Sequence, residues 1–367
     1  ILEASEKAGG MLRLGIPEHR LPRDILDREI QVITNLGVDI KTNTALGRDF
    51  ELNDLFRDGY KAVFLAIGAH TGMSLGIPGE EANGVVQGVD YLRQVNLTGS
   101  AVTGKKIAVI GGGNVAVDAA RTAIRQGAEE VHIIYRRSRE EMPALPEETE
   151  AALQEGINIV FLAAPKEILT REDSVTGIRC VQMQLGEPDS SGRRRPVPIN
   201  GSDFDLDVDQ VIRAIGQKPD LSMLENIQGL EFTKWDSLQV DSTTYATPLD
   251  GVFAGGDAHT GPWIAIGAVA AGREAAESIS RYLQGQDMAE ARQPLEAPEE
   301  PEYRPVPEDI SPQVRCEMPE QDVNERIGSF CEVELGLDPE EGEKEAERCL
   351  NCGYCCECMQ CELNCLA

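Results

Sequence analysis

One glycine-rich segment constrains the fold more than any other part of the chain. The apolar residues 107–110 lead directly into residues 111–116 (GGGNVA), and helical spacing follows up to about residue 126. A strand, a G-x-G-x-x-A turn and a helix in this order make up the dinucleotide-binding unit of a Rossmann fold. Glycine permits the tight turn and lets backbone N–H groups reach a pyrophosphate, whose charge the helix N-terminus stabilises. A plain turn is the alternative; we expect dinucleotide binding at Gly111, Gly113, Asn114, Val115 and Ala116.

The next predicted strand, residues 131–134, runs into Tyr135, Arg136 and Arg137. A NAD site usually has Asp or Glu at this strand end, where the carboxylate binds the ribose 2′-OH. Two guanidinium groups instead suit the 2′-phosphate of NADP. We therefore predict NADP(H) over NAD(H), bound through Arg136 and Arg137, with a solvated basic turn as the alternative.

The first 283 residues alternate between predicted helices and strands, which indicates an α/β fold. Helices are predicted at residues 22–36, 52–57, 114–126 and 264–283, and strands at residues 38–41, 62–67, 106–110, 131–134, 157–162, 178–185, 204–211 and 252–254. The strand end at residues 64–68 (FLAIG) is similar to that at residues 211–216 (VIRAIG). This similarity predicts two related dinucleotide-binding domains.

A second nucleotide site is predicted from two separated segments. Glu3 ends an apparent strand at the position where a flavin-binding unit has its ribose-binding acid. The glycine loop expected before it would lie upstream of Ile1. Gly256 and Asp257 follow another strand, and the helix that begins near Ile264 would direct its positive end at a flavin. The alternative for each segment is a surface acid or a tight turn.

Several of these segments resemble the small subunit of glutamate synthase. The resemblance rests on residues 9–17 (GGMLRLGIP), 20–22 (RLP), 76–80 (GIPGE), 134–137 (IYRR), 142–144 (MPA) and 255–257 (GGD), and it covers roughly residues 1–283. Adrenodoxin reductase is a more distant relative with the same two-nucleotide plan. The resemblance implies FAD near Glu3, Gly10, Leu12, Leu46, Asp257 and Ile264, and NADPH near Gly111, Gly113, Asn114, Val115, Arg136 and Arg137.

The chain departs from this family at its C-terminal end, where seven of its ten cysteines lie within residues 349–365. Thiols crowded in this way are badly placed for separate disulfides and favour a metal site. The spacing C-x-x-C-x-x-C-x-x-x-C matches bacterial ferredoxins and predicts [4Fe–4S], with zinc as the alternative. Leu366 stands where a proline often follows, and Cys356 breaks the rhythm of the motif. One or two clusters are expected on Cys349, Cys352, Cys355, Cys358, Cys361 and Cys365.

Composition excludes some classes of function. The formal net charge is −29, so nucleic-acid binding is not expected, and no apolar run is long enough to span a membrane. A cysteine-rich metal motif indicates a reducing, cytoplasmic location. Cys180, Cys316 and Cys331 stand alone and are predicted to be structural. The predicted flavoprotein part has no cysteine pair of the kind that disulfide reductases need beside the flavin.

We therefore expect an α/β protein with two Rossmann-like domains, the FAD domain being split by the inserted NAD(P)H domain. The boundaries are residues 1–100 and 226–284 for FAD, 101–225 for NAD(P)H, 285–348 for an acidic linker ending in a short helix, and 349–367 for the iron–sulfur module. Hydride donors deliver electron pairs whereas clusters accept single electrons, so a flavin must stand between them. No catalytic side chain is predicted, because hydride transfer needs positioning rather than an acid or base.

The predicted function is that of an electron-input subunit, which oxidises NAD(P)H at FAD and passes electrons through [4Fe–4S] to a partner oxidoreductase subunit or ferredoxin. The direction could be reversed. Three alternatives remain open: a true glutamate synthase small subunit, an electron-bifurcating subunit, and a non-catalytic scaffold with a degenerate flavin fold.

Overall fold

The computed structural model describes residues 1–189, 192–292 and 314–347. The chain forms two compact units, one made of Ile1–Leu295 with Asp322–Glu332 and the other of Glu296–Gln321 with Val333–Ala367. The predicted iron–sulfur cysteines, residues 349–365, lie outside the described residues.

The described strands are β1 Val63–Leu65, β2 Thr71–Gly72, β3 Val85–Gln87, β4 Lys106–Ile110, β5 Glu130–Tyr135, β6 Asn158–Phe161, β7 Ala163–Arg171, β8 Ser174–Pro188, β9 Arg194–Leu206, β10 Gln210–Arg213, β11 Gln217–Lys218 and β12 Val252–Ala254. The described α-helices are α1 Gly10–Leu14, α2 Arg23–Asn35, α3 Leu52–Arg57, α4 Gly88–Thr98, α5 Asn114–Arg125, α6 Pro146–Gln154, α7 Asp257–Thr260, α8 Ala265–Leu283, α9 Val323–Arg326 and α10 Pro339–Glu347. A 3₁₀ turn covers Arg139–Glu141.

A five-stranded parallel sheet in the order β3-β10-β4-β5-β6 forms the centre of the half that contains the predicted NAD(P)H-binding segment. Strand β4 is apolar along most of its length, and Ile107 and Val109 are fully buried. Such a continuous apolar run is typical of a parallel strand that is covered on both faces. Helices α4 and α5 supply part of that cover through Leu92 and Ala120. The predicted parallel α/β arrangement is confirmed here.

A long antiparallel meander, β7-β8-β9, extends from this half. Strand β8 has 15 residues and pairs with β7 along one edge and with β9 along the other. Sequence periodicity predicted shorter strands, because bulges at residues 165–167 and 181–183 interrupt the alternation. The length of β8 therefore puts the far end of the β8–β9 hairpin well away from the turn that joins β7 to β8.

The other half is built around the parallel pair β1 and β12, in which Leu65 lies beside Ala254. Ala254 and the neighbouring Leu52 and Leu224 are almost completely buried in one apolar cluster. Leu2 and Lys41 form a parallel bridge within the N-terminal segment, and Leu46 of the same segment packs against this cluster. Segments from both ends of the first 283 residues thus contribute to this cluster, and the predicted split of the FAD domain stays a prediction.

Residues Asp322–Glu332, here called the return segment, belong to the first unit although they follow the acidic stretch. Its helix α9 carries Arg326, which is 1% exposed and donates to the side-chain oxygen of Gln154 at 2.9 Å. The backbone oxygen of Ser329 accepts from Arg125 Nε at 3.0 Å. The few apolar residues of this stretch show no helical period, so the sequence predicts an acidic linker here, and the structure instead packs it against the first unit.

The described part of the second unit is small. Glu320 and Glu334 form an antiparallel bridge, and the backbone N–H of Cys316 donates to Glu345 Oε1 at 2.6 Å. Helix α10 begins at Pro339 and ends at Glu347, where the short helix was predicted at the end of the acidic linker. Across the described ranges, no helix combines the length and the hydropathy that crossing a bilayer requires.

Candidate dinucleotide-binding sites

Each of the three glycines after β4 has a different physical reason to be glycine. A Cβ at Gly111, whose φ is +146°, would lie 2.2 Å from the backbone oxygen of Ala214. A Cβ at Gly112 would lie 2.4 Å from the ring of Tyr135. A Cβ at Gly113 would meet no described atom within 4 Å. Packing excludes side chains from the first two positions, and the third leaves open space above the backbone.

That open space faces the start of α5, whose N-cap is Gly113. No side chain caps this end, and its first turn holds no acidic residue. A helix N-terminus of this kind carries partial positive charge and free N–H donors, which suits a pyrophosphate. Ala116 is fully buried against the turn and closes the helix onto the sheet. The predicted residues Gly111, Gly113, Asn114, Val115 and Ala116 are therefore brought together and fit a dinucleotide.

The segment 142–145 is tied to this glycine loop. The backbone N–H of Ala144 donates to Gly112 O at 3.0 Å. Asn114 Oδ1 accepts from the backbone N–H of Leu145, also at 3.0 Å. The side chain of Asn114 therefore holds segment 142–145 against the glycine loop, a role that sequence reasoning did not assign.

Strand β10 lies on one side of β4 and β5 on the other, so the strand order reverses direction at β4. The backbone N–H of Ala214 donates to Ile110 O at 2.8 Å, which brings the two strand ends together. Nucleotides bind open α/β sheets in the crevice at such a reversal. The glycine loop lies at this crevice.

Arg136 and Arg137 have opposite environments. The side chain of Arg136 is exposed, whereas Arg137 is only 5% exposed. Arg137 donates from Nη2 to Asp189 Oδ2 at 2.7 Å and from Nε to Arg194 O at 2.8 Å. Binding of a 2′-phosphate by these arginines stays a prediction, and only Arg136 presents an exposed guanidinium for it.

The predicted flavin residues of the N-terminal segment lie in helix α1 and in the loops around it. Glu3 Oε1 accepts from the backbone N–H of Ser5 at 2.7 Å. Gly10, with φ +51°, begins α1 and has open space where a side chain would stand. Leu12 and Leu46 are half-buried, and Leu46 packs against the cluster around β1 and β12.

The closing motif of this half begins directly after β12. Gly256 has φ +62°, a left-handed conformation that favours glycine. Asp257 Oδ1 accepts from the backbone N–H of Trp263 at 3.2 Å, and burial raises the pKa of Asp257. Ile264 is the N-cap of α8, whose first turn contains no acidic residue. The uncapped backbone N–H groups at the start of α8, the left-handed Gly256 and the open space at Gly10 fit the phosphates and the ring of FAD.

A buried ionic network joins the two nucleotide-binding halves. Arg20, which follows the predicted flavin segment, bonds Asp118 of α5 at 2.9 Å and Glu148 of α6 at 2.7 Å. Burial raises the pKa of Asp118 to about 6, although Arg20 opposes the shift. Deeper in the network, Glu155 accepts from Arg121 and Arg125, each at 2.7 Å. Sequence reasoning missed this network, because charged residues on a predicted helix normally face solvent.

Next to the network, His19 is 1% exposed, and its ring nitrogens have no hydrogen-bond partner among the described residues. Burial lowers the pKa of His19 strongly, and the nearby arginines, Arg125 first, add to the shift. Its ring centroid lies 6.2 Å from that of Phe330 in the return segment. His19 is therefore neutral in the folded protein.

Two candidate nucleotide sites within one α/β unit are typical of the two-dinucleotide oxidoreductases. The family profile described as pyridine nucleotide-disulphide oxidoreductase matches residues 4–282, and the chain belongs to that family. The sequence-based prediction of a FAD-dependent NAD(P)H oxidoreductase is confirmed at this level.

Similar proteins refine this placement. The chain is 46% identical to the NADP(+)-dependent formate dehydrogenase subunit beta of Moorella thermoacetica, over 96% of this chain and 50% of that protein. It is 37% identical to the glutamate synthase [NADPH] small chain of Azospirillum brasilense, over 77% of this chain and 61% of the relative. The chain thus spans about half to three-fifths of these relatives. The predicted resemblance to glutamate synthase small subunits is confirmed.

Among solved structures, Mycobacterium tuberculosis FprA in complex with NADPH has a similar fold. Its TM-score is 0.64 at 20% identity, and the match covers 77% of each chain. At this identity the comparison supports the two-domain fold alone.

Proposed function

We propose that this chain is the electron-input part of a larger oxidoreductase. It oxidises NADPH with the help of bound FAD and passes electrons singly through [4Fe–4S] to a partner oxidoreductase subunit or ferredoxin. The observation that carries the proposal is the combination, in one chain, of two dinucleotide-binding strand ends with cysteines at ferredoxin spacing. The reverse flow uses the same parts, since cluster potentials span roughly −700 to +450 mV.

Bound FAD would supply the exchange between one two-electron donor and two one-electron acceptors. The residues of the chain bind and orient the two nucleotides. The N-terminus of α5 and the open space at Gly113 hold the NADPH pyrophosphate. Gly10, Asp257 and the N-terminus of α8 hold FAD. The network around Arg20 and Asp118 keeps the two sites in register.

The preference for NADPH is supported by the strand end after β5. Arg136 is exposed there, and the position that would hold a ribose-binding carboxylate in a NAD site is occupied by arginine. The names of both relatives described above include NADP(+) or NADPH. NADH is expected to bind more weakly, because a 2′-OH gives the guanidinium no charge to bind.

The iron–sulfur step is supported by the ferredoxin spacing of the cysteines and by how far the alignments with the two relatives extend along the chain. A match over 96% of the chain must extend well into the region after Leu283, whereas a match over 77% need not. This favours an input subunit of the formate dehydrogenase type over a glutamate synthase small subunit. Among the residues that the structure describes, no group of His, Cys, Asp or Glu is arranged to hold a metal. The ligand set that we propose from the ferredoxin spacing is Cys349, Cys352, Cys355, Cys358, Cys361 and Cys365, which lie outside the described residues.

A dithiol mechanism is disfavoured within the matched family region. Cys180 is the only cysteine before Cys316, and it is fully buried in β8. Burial raises the pKa of its thiol to about 12, which keeps it protonated. Electrons are thus expected to leave by the metal route, in a reducing cytoplasm that keeps the cluster thiolates available.

Replacement of Cys358 by Ala tests the order of carriers. With the purified full chain under anaerobic conditions, NADPH should still bleach the flavin band at the wild-type rate, while the electron paramagnetic resonance signal of the reduced cluster should be lost or changed. Cys331→Ala is the matched control, because Cys331 is exposed and lies outside the ferredoxin spacing. Loss of flavin bleaching in Cys358→Ala would contradict the proposed order.

The chains that co-purify with this one decide between the remaining alternatives. A large amidotransferase chain would select the glutamate synthase small subunit. Two separate electron acceptors would select a bifurcating subunit. A colourless protein that binds neither nucleotide would select the scaffold and reject the proposal.

A further inference from the structure

The guanidinium of Arg20 is bound by carboxylates from two helices. Its Nη1 donates to both carboxylate oxygens of Asp118 in α5, each at 2.9 Å, and its Nε lies 2.7 Å from Oε1 of Glu148 in α6. Asp118 is only 4% exposed, so water competes little for these bonds. A planar guanidinium that is bonded on two sides has little freedom to move. The loop that carries Arg20 is therefore fixed against α5 and α6.

The α5 end of this connection lies close to the glycine loop. Asp118 follows Asn114 by four residues, which is about 6 Å along the helix axis at about 1.5 Å per residue. Arg20 therefore holds α5 about one turn from the end whose free N–H groups fit a pyrophosphate. One helical turn is stiff, so a displacement of the helix at Asp118 would also displace that end.

The other end of the connection leads to the predicted flavin segment. Arg23, at the start of α2, donates from Nη1 to Leu12 O at 3.1 Å. Asn96 of α4 donates from Nδ2 to Leu14 O at 2.9 Å. Helix α4 packs on the five-stranded sheet, so α1 is bonded to that side of the molecule as well. The predicted flavin residues Gly10 and Leu12 lie in α1 and are thus close to both attachments.

A short ribbon joins the five-stranded sheet to the half around β1 and β12. The chain runs from β1 to β3 and from β10 back to β12, and on these passages β2 and β11 pair over only two residues each. The backbone N–H of Met73 donates to Gly216 O at 3.0 Å. Gly68 and Gly216 flank the ribbon with φ of +70° and +132°. Connections of a few residues with such glycines bend easily, so the angle between the two parts depends on side-chain bonds such as those of Arg20.

We propose that Arg20 is a positioning residue for hydride transfer, because it fixes the angle at which the glycine loop of α5 faces the flavin segment. This inference rests on the proposed function and assigns to it a residue outside both predicted nucleotide sites. The step itself moves one hydride from NADPH to FAD, which takes up both electrons, so no further reactant is required. Reacting atoms must lie within about 3–3.5 Å, and a misplacement of about 1 Å can cost about a hundredfold in rate.

Anaerobic stopped-flow reduction of the full FAD-loaded chain by NADPH tests the proposal. Arg20→Met keeps much of the side-chain volume and removes the charge and the donors. Its limiting rate of flavin bleaching should fall about tenfold to a hundredfold, while the NADPH concentration at half-maximal rate should stay within about threefold. Arg20→Lys should recover part of the rate, since it restores the charge without the planar geometry. If Arg20→Met does not fold, Arg20→Lys should show the same division between rate and affinity at a smaller size.

Hydrogen–deuterium exchange of the same variants gives a measurement that does not depend on activity. Loss of the Arg20 bonds should speed amide exchange in the ribbon, residues 71–73 and 216–218, by about threefold or more. Exchange in β4 and α8 should stay at the wild-type rate. Faster exchange in all of these elements would show general destabilisation and would contradict a positioning role.

Arg28→Met is the matched control. Arg28 lies in α2 of the same N-terminal segment and pairs with Asp24 at 3.5 Å, but the two side chains are 72% and 75% exposed. The substitution removes one charge without removing a buried connection. It should match the wild type in flavin bleaching and in exchange.

The results separate failure of this inference from failure of the proposed function. If NADPH does not bleach the flavin of the wild type, the proposed function is wrong and this inference is wrong as well. If it bleaches the wild type and Arg20→Met at the same limiting rate, the inference is wrong and the proposed function stands. A higher half-saturating NADPH concentration at an unchanged limiting rate would also overturn the inference, because Arg20 would then act in binding.

Discussion

The Nε of Arg326 lies 3.2 Å from Oε1 of Glu155, and both side chains are at most 1% exposed. Glu155 also accepts from Arg121 and Arg125 of α5, so one carboxylate neutralises guanidinium groups from two separate parts of the chain. Burial alone would raise the pKa of Glu155, but the bonds to these arginines hold it below its ordinary value. The return segment is thus bound to α5 and to the end of α6 through a shared buried charge.

Glu155→Gln is expected to destabilise the protein more than Arg326→Gln. The first change leaves several buried guanidinium groups without their common carboxylate, and removal of one partner from a buried pair costs about 3–5 kcal/mol. The second leaves Glu155 with Arg121 and Arg125 and should cost about 1–3 kcal/mol. Thermal unfolding of both variants at pH 7 measures the order. Equal losses would show that the carboxylate is not shared in solution.

Acidification from pH 7 to pH 5.5 should destabilise the protein through His19. Its pKa is lowered in the fold, so the unfolded chain binds a proton near pH 6.5 while the folded chain does not. Stability is therefore lost as the pH falls below about 6.5, by at most about 1.4 kcal/mol per pH unit. Asp118, whose pKa is raised to about 6, acts in the opposite direction, because its stabilising effect is present at low pH and is lost as pH rises.

The comparison of His19→Leu with the wild type isolates the effect of His19, since Asp118 is present in both. The change in melting temperature between pH 7 and pH 5.5 should be smaller in the variant. An unchanged pH dependence would mean that His19 does not titrate differently in the folded and unfolded states.

Alanine at Gly111 and at Gly113 should have different consequences. The Gly111 side chain would lie 2.2 Å from Ala214 O in a left-handed conformation, so we expect the folded protein to be lost. At Gly113 no described atom lies within 4 Å, so stability should be retained while the methyl group fills the space for a pyrophosphate. NADPH binding should weaken by about tenfold to a hundredfold. A Gly113→Ala protein with normal affinity would exclude this space as the binding site.

Trp263 should report the presence of FAD. Its backbone N–H donates to Asp257, its indole packs on Gly267, and its side chain is 65% exposed at the start of α8. Trp235 is 76% exposed beside Lys234, whose Nζ lies 5.0 Å from the ring centroid. The Trp235→Phe variant keeps Trp263, and the Trp263→Phe variant keeps Trp235. Removal of FAD should raise the tryptophan fluorescence of the first variant more than that of the second. The reverse order would argue against a flavin at Asp257.

The strand–turn–helix at residues 106–125 was predictable, because its apolar run, its glycines and its helix are all local signals. The orientation of Arg136 and Arg137 was not predictable, because adjacent side chains point in different directions. The partner of Arg137, Asp189, lies just after β8, far along the sequence. The return segment was also missed. Between residues 324 and 330 only Ile327 and Phe330 are apolar, which is too few for a helical pattern. The contact of Arg326 with Glu155 at the end of α6 joins residues far apart in the sequence. The roles of the cluster cysteines stay predictions.

The attachment of Asp322–Glu332 to the first unit has a practical consequence for anyone who cuts this protein at its apparent domain boundary. A version that stops at Leu283 would retain the whole region matched by the family profile, yet it would strip Phe330 from His19 and Arg326 from Glu155. Poor yield of such a truncated version would then reflect the loss of these buried contacts from the first unit. It would not show that folding requires iron.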